Sequence, residues 1–338
     1  GLNPMDLLKN LLFKHVEANQ FSELKDNWKK ITAPLEKAKE KPLRFLRYFL
    51  MANYKIKNER NDHVVREDEI YDWFVNKENA ELCNYKERPF EFVRKIIQNV
   101  DCFLNYTQGR GNDGSSNLAL KSMQLLCGGA FSLHYILLLA ARSLPKSLFD
   151  HFVVQLESFL FYYIFTKTPT KDLERNFSLW ADELREISAL TNEQMQIQRL
   201  DQFVLEKLQK NMDSKDAELT DALRRFSLQS MQQYRTRYLL AKFTQFVDMA
   251  WNGIKMPLPL NNYTVLEIEH ILPNNPETDL RASFAKENPD KDYDLYKNKL
   301  GNLTMLEKPI NIFASNGFFE EKKPKYQDSG NYLTRSIV

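Results

Sequence analysis

The stretch Thr264-Val265-Leu266-Glu267-Ile268-Glu269-His270-Ile271-Leu272-Pro273 alternates apolar and polar residues and then stops at a proline. Period-two alternation predicts a half-buried strand, with a carboxylate and an imidazole side by side near its exit. A second apolar run, Leu300-Gly301-Asn302-Leu303-Thr304-Met305-Leu306, lies downstream. Pro309 then opens a short helix-compatible piece, with two further asparagines at Asn311 and Asn316. Acid, histidine and amides converging from a strand pair and a following helix suit hydrolysis of a phosphodiester. Imidazole takes a proton from water, and an oxygen-rich shell holds a hard divalent cation against the phosphate.

The ordered set Glu269-His270-Ile271-Leu272-Pro273, Gly301-Asn302-Leu303-Thr304 and Asn311 resembles an HNH (ββα-metal) nuclease. More narrowly, Leu300 to Leu306 with Asn311, Asn316, Phe319, Lys322, Lys323 and Tyr326 resembles the C-terminal nuclease domain of GmrSD-type, modification-dependent restriction endonucleases. Phosphorothioate-sensing SspE-like defence nucleases share that build. An isolated Glu-His pair would mean little; the ordered composite, with Asn302 and Asn311 nine residues apart (311 − 302), carries the resemblance.

The resemblance implies a mainly α chain, with a multi-helix domain over 1–255 and a small ββα-metal domain over 256–338. It implies metal-dependent nicking or cleavage of DNA, with modified DNA among its targets, in an anti-phage restriction system that uses Mg²⁺ or Mn²⁺. His270 becomes the general base and Glu269 a metal ligand, with Glu267 the rival carboxylate on the same strand face. Asn311 completes the metal shell through its amide oxygen. Asn302 positions the loop and the His-bearing strand, or is a plain turn residue behind Gly301. Neighbours on a regular strand point to opposite faces, so Glu269 and His270 meet one phosphate only where the strand twists or ends. Pro273 supplies an ending. Asn316, Lys322 and Lys323 contact phosphates, or form the solvated face of a helix bearing Phe318, Phe319 and Tyr326. The family often carries a histidine three residues before the Gly of its Gly-Asn-Leu-Thr run. Here Asn298 stands in that place, a departure that bears on rate more than on fold.

At 338 residues the chain is long enough for one large or two ordinary domains. With 23 Phe and 15 Tyr, the core is expected to be built on large rings, and only 10 Gly argue against a turn-rich all-β chain. A net charge of +2 gives no global basic field, so a DNA-binding surface has to be a local patch. Cys83, Cys102 and Cys127 are too few and scattered for a disulfide frame or a zinc site, and read as buried apolar filler. All three precede the ββα region, which therefore leans on the helical domain rather than on zinc. No apolar run has the length and purity of a signal peptide or membrane span, so a cytoplasmic protein is expected.

The chain opens inside an amphipathic pattern, with Leu7, Leu8, Leu11, Leu12 and Val16 at helical spacing. This segment resembles the closing helix of the NTP-binding domain of GmrSD-type proteins, which implies an NTP-binding sensor domain or subunit upstream; an ordinary first helix is the alternative. Helices are predicted over 21–39, 43–54, 67–79, 89–106, 118–127, 132–143, 146–166, 171–190, 192–211, 216–226 and 228–251. The loop Gln108-Gly109-Arg110-Gly111-Asn112-Asp113-Gly114-Ser115-Ser116-Asn117 lacks Gly-Lys-Ser or Gly-Lys-Thr, so it is not a P-loop. It reads as a mobile connection whose Arg110 either touches a DNA backbone or faces solvent. Pro257 and Pro259 end the last helix and mark the domain boundary. Arg235 and Arg237 on that helix face DNA or solvent.

A single site nicks one strand, so double-strand breaks require two protomers or two events, and a homodimer is one expected arrangement. The competing class is a nucleic-acid-binding or assembly module of such a system with a degenerate catalytic site, which Asn298 and the near-neutral charge favour. A purely helical interaction protein with an accidental motif is the third.

Overall fold

The computed structural model describes residues 4–58, 63–314 and 316–337. Gly1 to Asn3, the opening of the predicted first helix, lie outside them. Most described residues are helical, and the β-structure in named strands is one two-stranded sheet. No helix of the described residues is long and apolar enough to cross a membrane.

The chain divides into two compact units, the first made of residues 1–120, 129–160 and 167–213. Its helices include Phe21–Lys37, Pro42–Asn53, Pro89–Thr107 and Thr170–Ser188. Pro42 and Pro89 sit at helix starts, where the missing N–H costs nothing. The large rings do form a core. Phe74 meets Trp73, Tyr85 and Phe92 edge-on at 5.3, 6.3 and 5.8 Å, and Phe49 meets Phe92 in the same way at 6.2 Å. The stretch predicted as one helix over 67–79 breaks at Asn76, whose side chain caps a new helix, Lys77–Cys83, by accepting from Asn79 N. The stretch over 192–211 runs as an α-helix only to Phe203 and then takes a π-helical course over Val204–Gln209.

The 108–117 loop is built rather than open. Arg110 and Ser116 form a β-bridge, Asp113 accepts from the Ser115 amide and hydroxyl at 2.9 and 2.6 Å, and Asn117 donates to Asp150 at 2.7 Å. Gly109 and Gly114 take φ of 68° and 76°, which the turn requires and a side chain would resist.

The second unit comprises residues 121–128, 161–166 and 214–338. The chain last crosses from one unit to the other at 213/214, ahead of the proline linker. The long helix Gln233–Trp251 belongs to this second unit because it packs against the sheet and against the short helix Tyr332–Arg335. After the prolines a helical turn, Asn261–Thr264, precedes the strand, so the predicted alternation over 264–273 condenses into β1, Glu267–His270. Two helices that the sequence patterning did not predict, Thr278–Glu287 and Tyr293–Lys297, fill the connection to β2, Leu303–Leu306.

β1 and β2 are antiparallel, with Glu267 opposite Leu306, Glu269 opposite Thr304 and His270 opposite Leu303. A two-stranded sheet of this length has no independent stability. All four β2 residues are buried, so helices cover it on both faces. Leu306 joins Ala314 and Tyr326 in a small core that Ile271, Ile310 and Phe319 complete. Ile310 and Ala314 come from the helix Lys308–Ala314, and Phe319 and Tyr326 from the helix Phe319–Gln327, which both follow β2. Thr334 ties the Tyr332–Arg335 helix to the sheet by donating to Met305 O at 2.7 Å and pairing with the Thr304 hydroxyl at 2.8 Å.

Candidate active site at the end of the first strand

Alternation sends Glu269 into the small core, where it is 7% exposed. There the Lys322 ammonium donates to Glu269 Oε1 at 2.7 Å, and the Tyr326 hydroxyl donates to the same oxygen at 2.8 Å. Lys322 is 1% exposed and also donates to the His270 carbonyl at 2.7 Å. Lys322 and Tyr326 lie four apart on one helix, so their side chains share a face and reach one carboxylate together. Burial, and then the Glu269 carboxylate, push the Tyr326 hydroxyl well above its ordinary range, so it stays a donor. Buried charges persist only when paired and hydrogen-bonded, and this trio meets both conditions. Lys322 is therefore neither a phosphate contact nor part of a solvated helix face.

His270, the last residue of β1, is half-buried. Its Nε2 is sealed from solvent and has no hydrogen-bond partner. Burial is the largest influence and lowers the imidazole below its ordinary value; the Glu269 carboxylate opposes this, while Lys322 and Lys297 add to it. The ring is thereby held toward its neutral form, which accepts a proton rather than donating one.

The segment leaving β1 is fastened at several points. Ile271 N donates to Asn302 O at 2.9 Å, and Leu272 N donates to Asn302 Oδ1 at 2.6 Å. Asn302 Nδ2 donates back to Leu272 O at 2.9 Å and to Lys297 O at 2.8 Å. One amide thus spans two segments, a role that neither Asp nor Ala can fill. Gly301 ahead of it has room for a Cβ, so the position is not a turn that demands glycine. Tyr293 adds a bond to Pro273 O at 2.7 Å, and Lys297 one to Asn274 O at 3.0 Å.

The remaining candidates separate. Asn311 is half-buried on the Lys308–Ala314 helix, which packs on β1; Asn316 is exposed and Lys323 half-buried. Asn298 is buried and holds a helix end, its Nδ2 donating to Asp294 O at 3.1 Å while its carbonyl accepts from Leu228 N at 2.9 Å. Arg235 donates to Leu126 O at 3.1 Å, and Arg237 to the carbonyls of Thr264 and Leu266. Both arginines are spent on backbone rather than turned to DNA or left to solvent; Arg237 fixes the chain just ahead of β1. Arg110 is exposed on the hairpin of the first unit.

The resemblance implies a divalent cation, and the donor chemistry here can be tested against one. Hard cations take carboxylate and amide oxygens. Glu269 Oε1 is committed to two donors, whereas among the described residues no hydrogen bond reaches Oε2, so the carboxylate is oriented as ligating carboxylates are, through its other oxygen. Glu269 Oε2 and the Asn311 amide oxygen are donors of the type such an ion takes, with the Lys322 ammonium 2.7 Å from the other carboxylate oxygen. Among the described residues no group of three or more His, Cys, Asp and Glu gathers around one point.

Residues 213–338 match the family model described as GmrSD restriction endonucleases, C-terminal domain. This is a GmrSD-type C-terminal region. The GmrSD-type match takes in the Glu269–His270 strand, Asn302, Asn311 and the Lys322–Tyr326 helix. It supports a nuclease of a restriction system and implies DNA as its substrate. Comparison with curated proteins returned no match. The patterning missed the Lys322–Glu269–Tyr326 trio, whose one sequence signal is the four-residue spacing of Lys322 and Tyr326.

Proposed function

We propose that the GmrSD-type region is an HNH-type, ββα-metal DNA endonuclease domain in which His270 is the general base for phosphodiester hydrolysis. One observation carries the reading: the matched span encloses an antiparallel strand pair followed by a helix, with Glu269 and His270 ending the first strand and Asn302 bracing its exit. His270 takes the proton of the attacking water. Asn302 keeps residues 271–272 in place, and Lys322 holds the His270 carbonyl, so the imidazole is presented from a fixed backbone. Glu269 Oε2 and Asn311 would hold Mg²⁺ or Mn²⁺, which would supply Lewis-acid stabilisation of the phosphate charge. The reading calls for DNA, including modified DNA, as substrate, an NTP-binding sensor domain or subunit as partner, and a homodimer where both strands are cut.

A second reading has two observations in its favour. The buried ammonium on Glu269 and the use of Asn298 as a helix end suit a degenerate site in a nucleic-acid-binding or assembly module. Plasmid nicking with and without Mg²⁺ or Mn²⁺ decides between them. The expected result is metal-dependent nicking that His270→Ala abolishes at unchanged Tm, together with a Tm that rises with metal concentration through linkage. Undiminished nicking by His270→Ala refutes the base assignment. Absent nicking with a metal-insensitive Tm establishes the second reading.

A further inference from the structure

Beside the fastened segment lies an open cleft of about 680 Å³ that the proposed chemistry does not use. Its walls are Leu272, Leu300, Phe284 and Tyr296, and Arg224 and Lys299 stand among its lining residues; no carboxylate lines it. The two rings lie 6.5 Å apart at an interplanar angle of 53°. The Lys299 ammonium sits 4.1 Å from the Tyr296 ring centroid, so one aromatic face already carries a cation. Among the described residues neither Arg224 nor Lys299 has an ion-pair partner, whereas the neighbouring Arg225 pairs with Asp221 at 3.0 Å. The Ser227–Lys299 bridge and the bond from Leu228 N to Asn298 O fasten the 227–228 segment, just beyond Arg224, to the loop bearing Lys299. The cleft volume falls in the range of ligand sites, and its lining of apolar rings with convergent cations is their usual composition.

An aromatic, acid-free cleft with two unpaired cations matches a group that is flat and apolar on its faces and anionic at one end. A nucleotide out of its stack has that form: every base has a π-face, and its phosphate takes Arg and Lys. Location selects the source. Leu272 lines the cleft and is two residues beyond His270, a backbone distance of roughly 7 Å. Accepting the hydrolase reading above, we infer that this cleft receives an unstacked nucleotide of the DNA strand beside the phosphodiester facing His270. Its base lies against Tyr296 and Phe284, and its phosphate between Arg224 and Lys299.

The test uses the full chain carrying His270→Ala, so that bound DNA stays intact, and oligonucleotides with a single 2-aminopurine in an unpaired position. Binding is expected to change the fluorescence of the probe base. Tyr296→Leu abolishes that change and weakens binding roughly 5- to 100-fold, the range of one base–aromatic stack, while Tyr296→Phe retains both. An abasic site in place of the probe removes the difference between Tyr296 and Tyr296→Leu. Arg224→Ala and Lys299→Ala each weaken binding across sequences and reduce the salt slope by about one. A probe signal indifferent to Tyr296→Leu, or a Tyr296→Leu loss equally large on abasic DNA, overturns the assignment. So does displacement of the strand by free deoxynucleoside monophosphate at equal or lower concentration, which makes the cleft a site for free nucleotide. Hydrolysis is not a readout here. Failure of the His270 assignment in the nicking assay therefore leaves this result standing, and wild-type nicking with an unresponsive probe sinks the cleft alone.

Discussion

Replacing Lys322 by methionine isolates the buried charge pair on which the His270 end of β1 rests. The Lys322 and Glu269 side chains are 1% and 9% exposed, and the ammonium supplies one of the two hydrogen bonds to Glu269 Oε1 and one to the His270 carbonyl. Methionine fills similar volume but strands a carboxylate in the core with the Tyr326 hydroxyl alone. Removing one partner of such a pair costs about 3–5 kcal/mol. Glu269→Gln/Lys322→Met removes both charges, and most of the loss should return, giving a coupling of about 2 kcal/mol or more in the double-mutant cycle. Native-state hydrogen exchange at the β1 and β2 amides is the suitable assay, because it reads local opening without requiring the two units to unfold together. A loss under about 1 kcal/mol for Lys322→Met, the value of an exposed pair, would show that the ammonium is solvated in solution and that the strand end is not held from behind.

Asn302→Ala deletes three side-chain bonds to Leu272 and Lys297, two of them to the segment just after His270, and should destabilise the second unit by about 2–3 kcal/mol. The amide of Leu272 should lose its exchange protection first; retained protection there refutes the clamp. His134 in the first unit is fully buried, with Nδ1 unpartnered, and burial lowers its pKa to about 3. Below about 6.5 the unfolded chain binds a proton that the folded chain refuses, so stability is full above that pH and falls as pH drops toward about 3. The slope approaches about 1.4 kcal/mol per pH unit, which amounts to about 1.6 kcal/mol between pH 6.5 and 5. Denaturant unfolding of His134→Phe should show a flatter acid limb than the wild type; identical limbs refute the assignment.

Much of the candidate site was legible before any coordinates, and the reason is local. Period-two alternation marks a strand whatever surrounds it, and Glu269, His270 and Asn302 sit in runs short enough to be recognised by order and spacing. The helical majority and the ring-built core come from composition in the same way. Helix boundaries were less legible at Asn76 and Val204, where a side-chain cap or a π-helical course interrupts a continuous apolar pattern. The helices Thr278–Glu287 and Tyr293–Lys297 were missed because each buries a single residue, Leu280 and Tyr293, so neither carries a strong periodic signal.

By itself the sequence determined that this is a mainly helical chain ending in a strand pair, with a carboxylate, an imidazole and amides at its tip. Which of those groups faces water and which faces a partner was decided only by the tertiary structure. Lys322 lies 53 residues from Glu269 in the chain, and the two meet because the helix after β2 folds back over the strand. Arg237 and Asn302 likewise bind backbone carbonyls that no spacing rule connects to them. Burial and charge pairing depend on long-range packing, so the same lysine reads as a surface cation in the chain and becomes an interior counter-ion in the fold.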